Sequence, residues 1–263
     1  MPIRDRVLEN AALRPGEVVL DVGGGDGLIA FGALDRVANT GEVILADVSP
    51  DLVAHASELA DDLGTSEHMS FVVARAEDLD PIGDLSVDVV TTRSVLIYVE
   101  DKAAAFHAFH RVLRPTGRFS IFEPINNYFP WDPTEFWGFD TTPIADLVEK
   151  VWAYEGWGPE LDAVDPMMNF NERDLVRLAE EQGFTDIHAD LRIDVEPGSW
   201  VLDWDRLMGT TPNPNAMSVG ESISGALTEA ETARLESHLR PLVDKGEGVI
   251  RSAFAYVWGS KRS

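Results

Sequence analysis

The chain has 263 residues, no cysteine and a formal net charge of −25. The lack of thiols excludes disulfides, thiolate metal sites and a cysteine nucleophile, and the charge argues against a nucleic-acid backbone or an anionic membrane surface as partner. No run of about eighteen apolar residues is present to span a bilayer, and the charged start Met1-Pro2-Ile3-Arg4-Asp5-Arg6 is not followed by an apolar block, so a cytoplasmic protein without a signal peptide is expected. Ile3, Val7, Leu8 and Leu13, spaced among charged residues, predict an amphipathic helix that ends at Arg14-Pro15-Gly16. Val18 to Val22 predicts a strand, the glycine cluster Gly23 to Gly27 a tight loop, and Leu28-Ile29-Ala30-Phe31 the start of a helix to about Asn39. Val43 to Asp47 predicts a second buried strand, and Ser49-Pro50 the start of a helix to about Leu63. Met69–Ala74, Val87–Ser94 and Phe119–Glu123 predict three more strands, with a helix from about Asp101 to Leu113. The reading is β-α repeated five times, which implies a parallel sheet with right-handed crossovers.

The repeat breaks after residue 124. Residues 124–168 carry Pro124, Pro130, Pro133, Pro143, Pro159 and Pro166 and four tryptophans, with a helix over about Ile144–Tyr154. Asn171–Gln182 predicts an amphipathic helix, and Thr185–Val195 alternates as a strand. A second irregular block, about Glu196–Gly248, contains a Pro/Asn loop at Thr211–Asn215. It also contains a helix over about Thr228–Val243, opened by the capping box Thr228-Glu229-Ala230-Glu231. Arg251–Trp258 closes as an alternating, antiparallel strand. The expected organisation is a core over residues 1–124, a cap insertion over 125–168, a core helix and strand over 169–195, a second cap insertion over 196–248 and a final strand over 249–263. Long insertions beside a binding edge are usually functional, and these are read as a cap over an acceptor. The alternative is that their tryptophans only hold them to the core.

The loop carries the chemistry. Gly23, Gly25 and Gly27 read G-x-G-x-G, with Leu28 where a dinucleotide loop has its third glycine. With Asp21, the segment reads D-x-G-x-G-x-G and resembles motif I of class I S-adenosylmethionine (SAM) dependent methyltransferases. Arg111-Val112-Leu113-Arg114-Pro115-Thr116-Gly117 resembles the family's R-V-L-R-P-G-G turn, with Thr116 at the first glycine. A ligand-free glycine turn and an NAD loop are the competing readings. The resemblance implies a Rossmann-like α/β fold with a seven-stranded sheet, helices on both faces, and helical caps after strand five and between strands six and seven. It also implies SAM as cofactor, with S-adenosylhomocysteine (SAH) as product.

The resemblance places Asp21, Gly23, Gly25 and Arg93 at the cofactor, Asp47 on the ribose hydroxyls and Val48 beside the adenine. The family often has an Asp where Arg75 stands, so the adenine contact is shifted to Glu77 or to the backbone of Ala76. For Asp47 the bland alternative is a helix N-terminal residue, and the same holds for Asp78. A sulfonium methyl is already activated, so the protein needs chiefly to orient the acceptor and exclude water. The candidates for that work are Glu123, as base or acceptor anchor, together with Tyr98 and Arg93. Glu123 bonding the insert's backbone is the equal alternative. Tyr128, Trp131, Trp137 and Trp200 are candidates for the acceptor pocket. No metal is expected, because strand four exits into Arg93-Ser94 and none of the six histidines has ligand spacing. His107 and His110 are expected on a helix flank, away from the chemistry. The inserts resemble those of actinobacterial methyltransferases of secondary metabolism. The expected activity is methyl transfer to a carbon, nitrogen or oxygen of a small apolar or aromatic metabolite, such as an indole or natural-product scaffold. A homodimer is left open. The rivals are a SAM-binding cyclase or decarboxylase, a non-catalytic SAM-binding module, and an NAD-dependent oxidoreductase.

Overall fold

The computed structural model describes residues 3–129, 131–158, 163–201, 203–211 and 216–262. Pro130, Pro159 and most of the predicted 211–215 loop lie outside them. The chain divides into two compact units. One is Met1–Ile125, Phe170–Arg192 and Phe254–Ser263; the other is Asn126–Asn169 and Ile193–Ala253.

The first unit begins with α1 (Ile3–Asn10), β1 (Val18–Val22), α2 (Leu28–Val37), β2 (Glu42–Asp47), α3 (Pro50–Leu63) and β3 (Met69–Val73). β4 (Val87–Arg93), α4 (Lys102–Val112) and β5 (Leu113–Pro124) follow. The later elements α6 (Glu172–Glu181), β8 (Phe184–Pro197) and β9 (Val249–Lys261) complete a seven-stranded sheet in the order β3-β2-β1-β4-β5-β9-β8. β1 is parallel to β2 and β4, and β9 is antiparallel to β5, pairing Phe122 with Tyr256.

Strand alternation distributes the side chains to the two faces. Val19, Val43, Leu45, Val89 and Phe122 pack with Val7, Leu8, Ile29, Ala33, Val53 and Ala56 of α1, α2 and α3. Ser120, in phase with Phe122, donates its hydroxyl to the Val7 carbonyl at 2.8 Å. Phe119 is out of phase with Phe122 and meets Phe106 of α4 edge-on at 5.8 Å and Phe184 at 4.6 Å. Helices therefore cover both faces, as in a Rossmann-like class I methyltransferase sheet. The α3 start is built as its sequence dictates: Ser49 Oγ accepts from Leu52 N and Pro50 takes the first helical turn. Gly64, at φ +68°, ends it.

Two features of the first unit differ from the sequence expectation. Residues 74–86 form turns rather than a helix, with Leu79 and Leu85 at φ near +50°. Asp78 is therefore not a helix N-terminal residue. β5 also starts at Leu113 rather than Phe119. Leu113 pairs with Val87, and the next pair is Arg118 with Val89, so the Arg114–Gly117 turn bulges out inside the strand with Thr116 at φ +66°.

The second unit holds the hairpin β6 (Glu135–Phe136) and β7 (Phe139–Asp140), with α5 (Ala145–Glu155), α7 (Trp204–Gly209), α8 (Val219–Ala226) and α9 (Glu229–Lys245). Its core joins Phe139, Leu147, Val148, Val151, Ile223, Leu235, Leu239 and Val243. The predicted capping box opens α9, and a second one, Ser218 with Glu221, opens α8.

Candidate active site

Three parallel strands of the first unit end together, and a carboxylate organises the exit of each. β1 opens into the glycine loop, where Gly23, Gly25 and Gly27 all have positive φ. Three of its glycines are required by packing. A Cβ on Gly23 would lie 2.3 Å from Val95 Cγ2, one on Gly24 2.6 Å from Leu45 Cγ, and one on Gly27 2.4 Å from the Phe31 ring. Gly25 differs, because a Cβ there would meet no protein atom within 4 Å. The loop leaves room above residue 25 that the protein itself does not fill.

Asp21, which is 1% exposed, faces inward. One oxygen accepts from Thr91 Oγ1 at 2.9 Å and the other from the Ala30 amide at 3.1 Å. Burial raises its pKa to about 7 against these two hydrogen bonds and the nearby Arg93 charge. Asp21 thus ties β1 to β4 and to the first turn of α2 and braces the glycine loop from inside.

Asp47 ends β2. Its Oδ2 accepts from the Gly25 amide and its Oδ1 from the Ser49 amide, each at 2.9 Å. The acid therefore joins the glycine loop to the α3 entrance at the carboxyl ends of adjacent strands, where ligands of open α/β sheets bind. Val48 beside it is 64% exposed. After β3, Ala76 is buried, and the Glu77 carboxylate accepts from Arg75 at 2.6 Å. Arg75 thus engages the acid to which the adenine contact had been shifted.

At the end of β4, Arg93 is exposed and Ser94 turns the chain at φ +56°. Residues 95–97 are then held from below by Glu123. Its Oε1 accepts from the Val95 and Leu96 amides at 3.0 and 2.9 Å, and its Oε2 from the Ile97 amide at 3.1 Å. Glu123 is fully buried, and burial raises its pKa to about 7. This corrects its expected place as a base facing the acceptor. It also corrects the alternative, since the backbone it holds is the β4 exit and not the insert. Tyr98, at the end of that loop, stays exposed.

The four aromatic residues expected in an acceptor pocket have four different surroundings. Tyr128 meets Phe129 edge-on at 5.0 Å. Trp131 packs between Trp152 and Trp157, at 5.2 and 5.4 Å. Trp137 packs on the core of the second unit, and Trp200 is exposed. A cleft of about 470 Å³ in that unit is lined by Trp204, Met208, Ile223 and Leu235, and by none of these four. His107 bonds Gln182 at 3.1 Å and His110 meets Phe184, both on the α4 flank. Among the described residues no group of three His, Asp or Glu side chains could hold a metal ion, and no helix is long and apolar enough to cross a membrane.

The sheet order, the glycine turn and the acid at the second strand tip define an open α/β domain of the Rossmann-like type. Residues 13–137 match the family model of a methyltransferase domain. The ubiquinone/menaquinone biosynthesis C-methyltransferase UbiE of Shewanella frigidimarina is 36% identical over 116 residues, 44% of this chain and 46% of that protein. The chain thus spans about half the length of the curated relatives it matches. Among solved structures, the YcgJ protein of Bacillus subtilis superposes with a TM-score of 0.59 at 18% identity, covering 99% of this chain and 98% of that one. Phosphoethanolamine N-methyltransferase 2 of Haemonchus contortus, solved with phosphomonomethylethanolamine and SAH, gives 0.57 at 15% identity, covering 99% of this chain and 52% of that one. These two likenesses concern the fold.

Proposed function

We propose that this chain binds SAM at the tips of β1, β2 and β4 and transfers its methyl group to a small apolar or aromatic acceptor. The observation that carries the reading is the open space above Gly25, directly beside the Asp47 carboxylate that accepts the Gly25 amide. A nucleoside placed there meets backbone amides rather than a Cβ, and Asp47 has lone pairs left to accept ribose hydroxyls. Val48 supplies an exposed apolar face for the adenine, and the Arg93 guanidinium suits the carboxylate of the amino-acid tail.

SAM supplies an activated sulfonium methyl, which transfers by in-line displacement. The chain's own contribution is to orient the donor and keep the loop geometry fixed. Glu123, with three amides on its carboxylate, is withdrawn from acid-base duty. A carbon acceptor, whose nucleophile needs little base assistance, accords with that. The relatives named as C-methyltransferases support a ring carbon of an electron-rich aromatic such as a quinol. Nitrogen, oxygen and indole acceptors belong in the same test panel.

Calorimetry with SAH and NAD tests the binding half: SAH uptake with none of NAD is expected, and Asp47→Ala should weaken it at least about tenfold. Incubation with methyl-labelled SAM and a panel of quinols, phenols and indoles tests the chemistry. Label in a product supports methyl transfer. Turnover without label would replace it with a non-methylating enzyme such as a cyclase or decarboxylase, and binding with no turnover of a broad panel with a binding module.

A further inference from the structure

We propose that Glu123 is a positioning residue for the cofactor loop: by clamping the Val95–Ile97 amides it presses Val95 against Gly23 and so sets the geometry in which the glycine turn receives its ligand. The inference rests on the SAM-binding reading given above.

The path is short and continuous within the first unit. Glu123 lies at the end of β5, fully buried, with three amides on its two oxygens. Those amides belong to the turn that follows the strained Ser94, whose own amide is tied to the Phe122 carbonyl at 2.8 Å. Val95 is the first clamped residue, and its Cγ2 would lie 2.3 Å from a Cβ on Gly23. The glycine loop therefore rests on the Val95 side chain, and the position of Val95 is dictated by Glu123.

The same turn carries Arg93 at its entrance and the exposed Tyr98 at its end. A buried acid is expensive where an apolar residue would pack, and a fold needing only to close this turn has cheaper means. What a carboxylate adds is three converging, charge-assisted bonds that fix the loop in one conformation. Lys102 of α4 is the charged group that bears on Glu123 and favours its ionised form. Burial outweighs it and brings the carboxyl near pH 7, so the clamp weakens on protonation, when one oxygen gains a hydrogen.

Glu123→Gln keeps the size but offers one accepting oxygen, and turns an N–H group toward an amide. Val95→Ala removes the contact with Gly23 and leaves the clamp intact. The experiment measures SAH affinity by calorimetry for wild type, E123Q, V95A and the double variant at pH 6 and pH 8, with thermal melts to show that each is folded. At pH 8, E123Q should weaken SAH about tenfold or more and V95A about threefold to tenfold. The double variant should be no weaker than E123Q alone, because both act through one contact. Wild-type affinity should fall from pH 8 to pH 6 more than that of E123Q. A merely structural Glu123 would lower the melting temperature and leave the affinity of the folded protein and its pH profile unchanged, which would overturn the inference. Additive effects of the two variants would overturn the route through Val95. Should E123Q not fold, V95A decides: unchanged affinity in that variant sinks the proposal. Wild-type protein that binds no SAH would instead sink the SAM-binding reading itself.

Discussion

The strand tips of the first unit and the helices of the second are built on opposite principles. At the tips, three buried acids, Asp21, Asp47 and Glu123, each accept main-chain amides and fix the loops that leave the strands. In the second unit, Leu147, Val151, Leu235 and Leu239 pack as an aliphatic core, and the charges sit outside, as in the Arg234–Asp146 pair. The first region is specified by polar geometry, the second by apolar volume. A change of a single atom matters at the tips, whereas the second unit responds to lost volume.

The largest effect expected is in the second unit. Leu239→Ala should cost about 3 kcal/mol in a urea titration, because a fully buried side chain leaves a cavity. Asp21→Ala, measured at pH 5, should cost about 2–3 kcal/mol by leaving Thr91 Oγ1 and the Ala30 amide unpaired. An equal response of the two regions to polar and apolar truncations would break the contrast.

A pH titration of stability sharpens it. Asp21 and Glu123 are both raised to about 7 from 3.8 and 4.5. The folded state then holds protons that the unfolded chain has released, so their stabilising contribution is full below about pH 4 and is lost as pH rises toward 7. Each carboxyl contributes a slope of up to about −1.4 kcal/mol per pH unit in that window, and Glu123→Gln should remove one such contribution.

Gly25→Ala is expected to cost only about 1 kcal/mol for its left-handed backbone, since its Cβ meets no protein atom, yet to abolish SAH binding. Gly23→Ala should lose both stability and binding. Arg234→Ala, on an exposed pair, should leave the melting temperature unchanged within error.

Much of the first unit was legible because its signals are local. A glycine cluster after a β-branched run and Ser49-Pro50 before an apolar helix each dictate backbone within a few residues, as the Thr228–Glu231 box does in the second unit. The function of each acid was less legible. Sequence places Asp21, Asp47 and Glu123 at strand ends, but nothing local distinguishes an acid that faces a ligand from one that accepts amides 9 or 26–28 residues away. Glu77 illustrates the same limit, since its partner Arg75 had been read only as a missing acid. The turns of residues 74–86 follow from tertiary packing that overrides acidic helix-start signals. The box Ser218-Val219-Gly220-Glu221 was a usable sign of α8 that the proline- and asparagine-rich neighbourhood obscured. Trp131 and Trp137 were harder to read, since an indole packs on other side chains as readily as it lines a pocket.

The sheet order bears on how this chain is made. β9 lies between β5 and β8, yet it is synthesised after both. During translation, therefore, the inner neighbour of β8 is missing for as long as the ribosome takes to deliver the intervening helices, and a naked strand is an invitation to intermolecular association. Asp186, Asp190, Asp194 and Glu196 punctuate β8 throughout its length. Like charges along an unpaired strand disfavour its pairing with a second copy, whatever the finished chain binds.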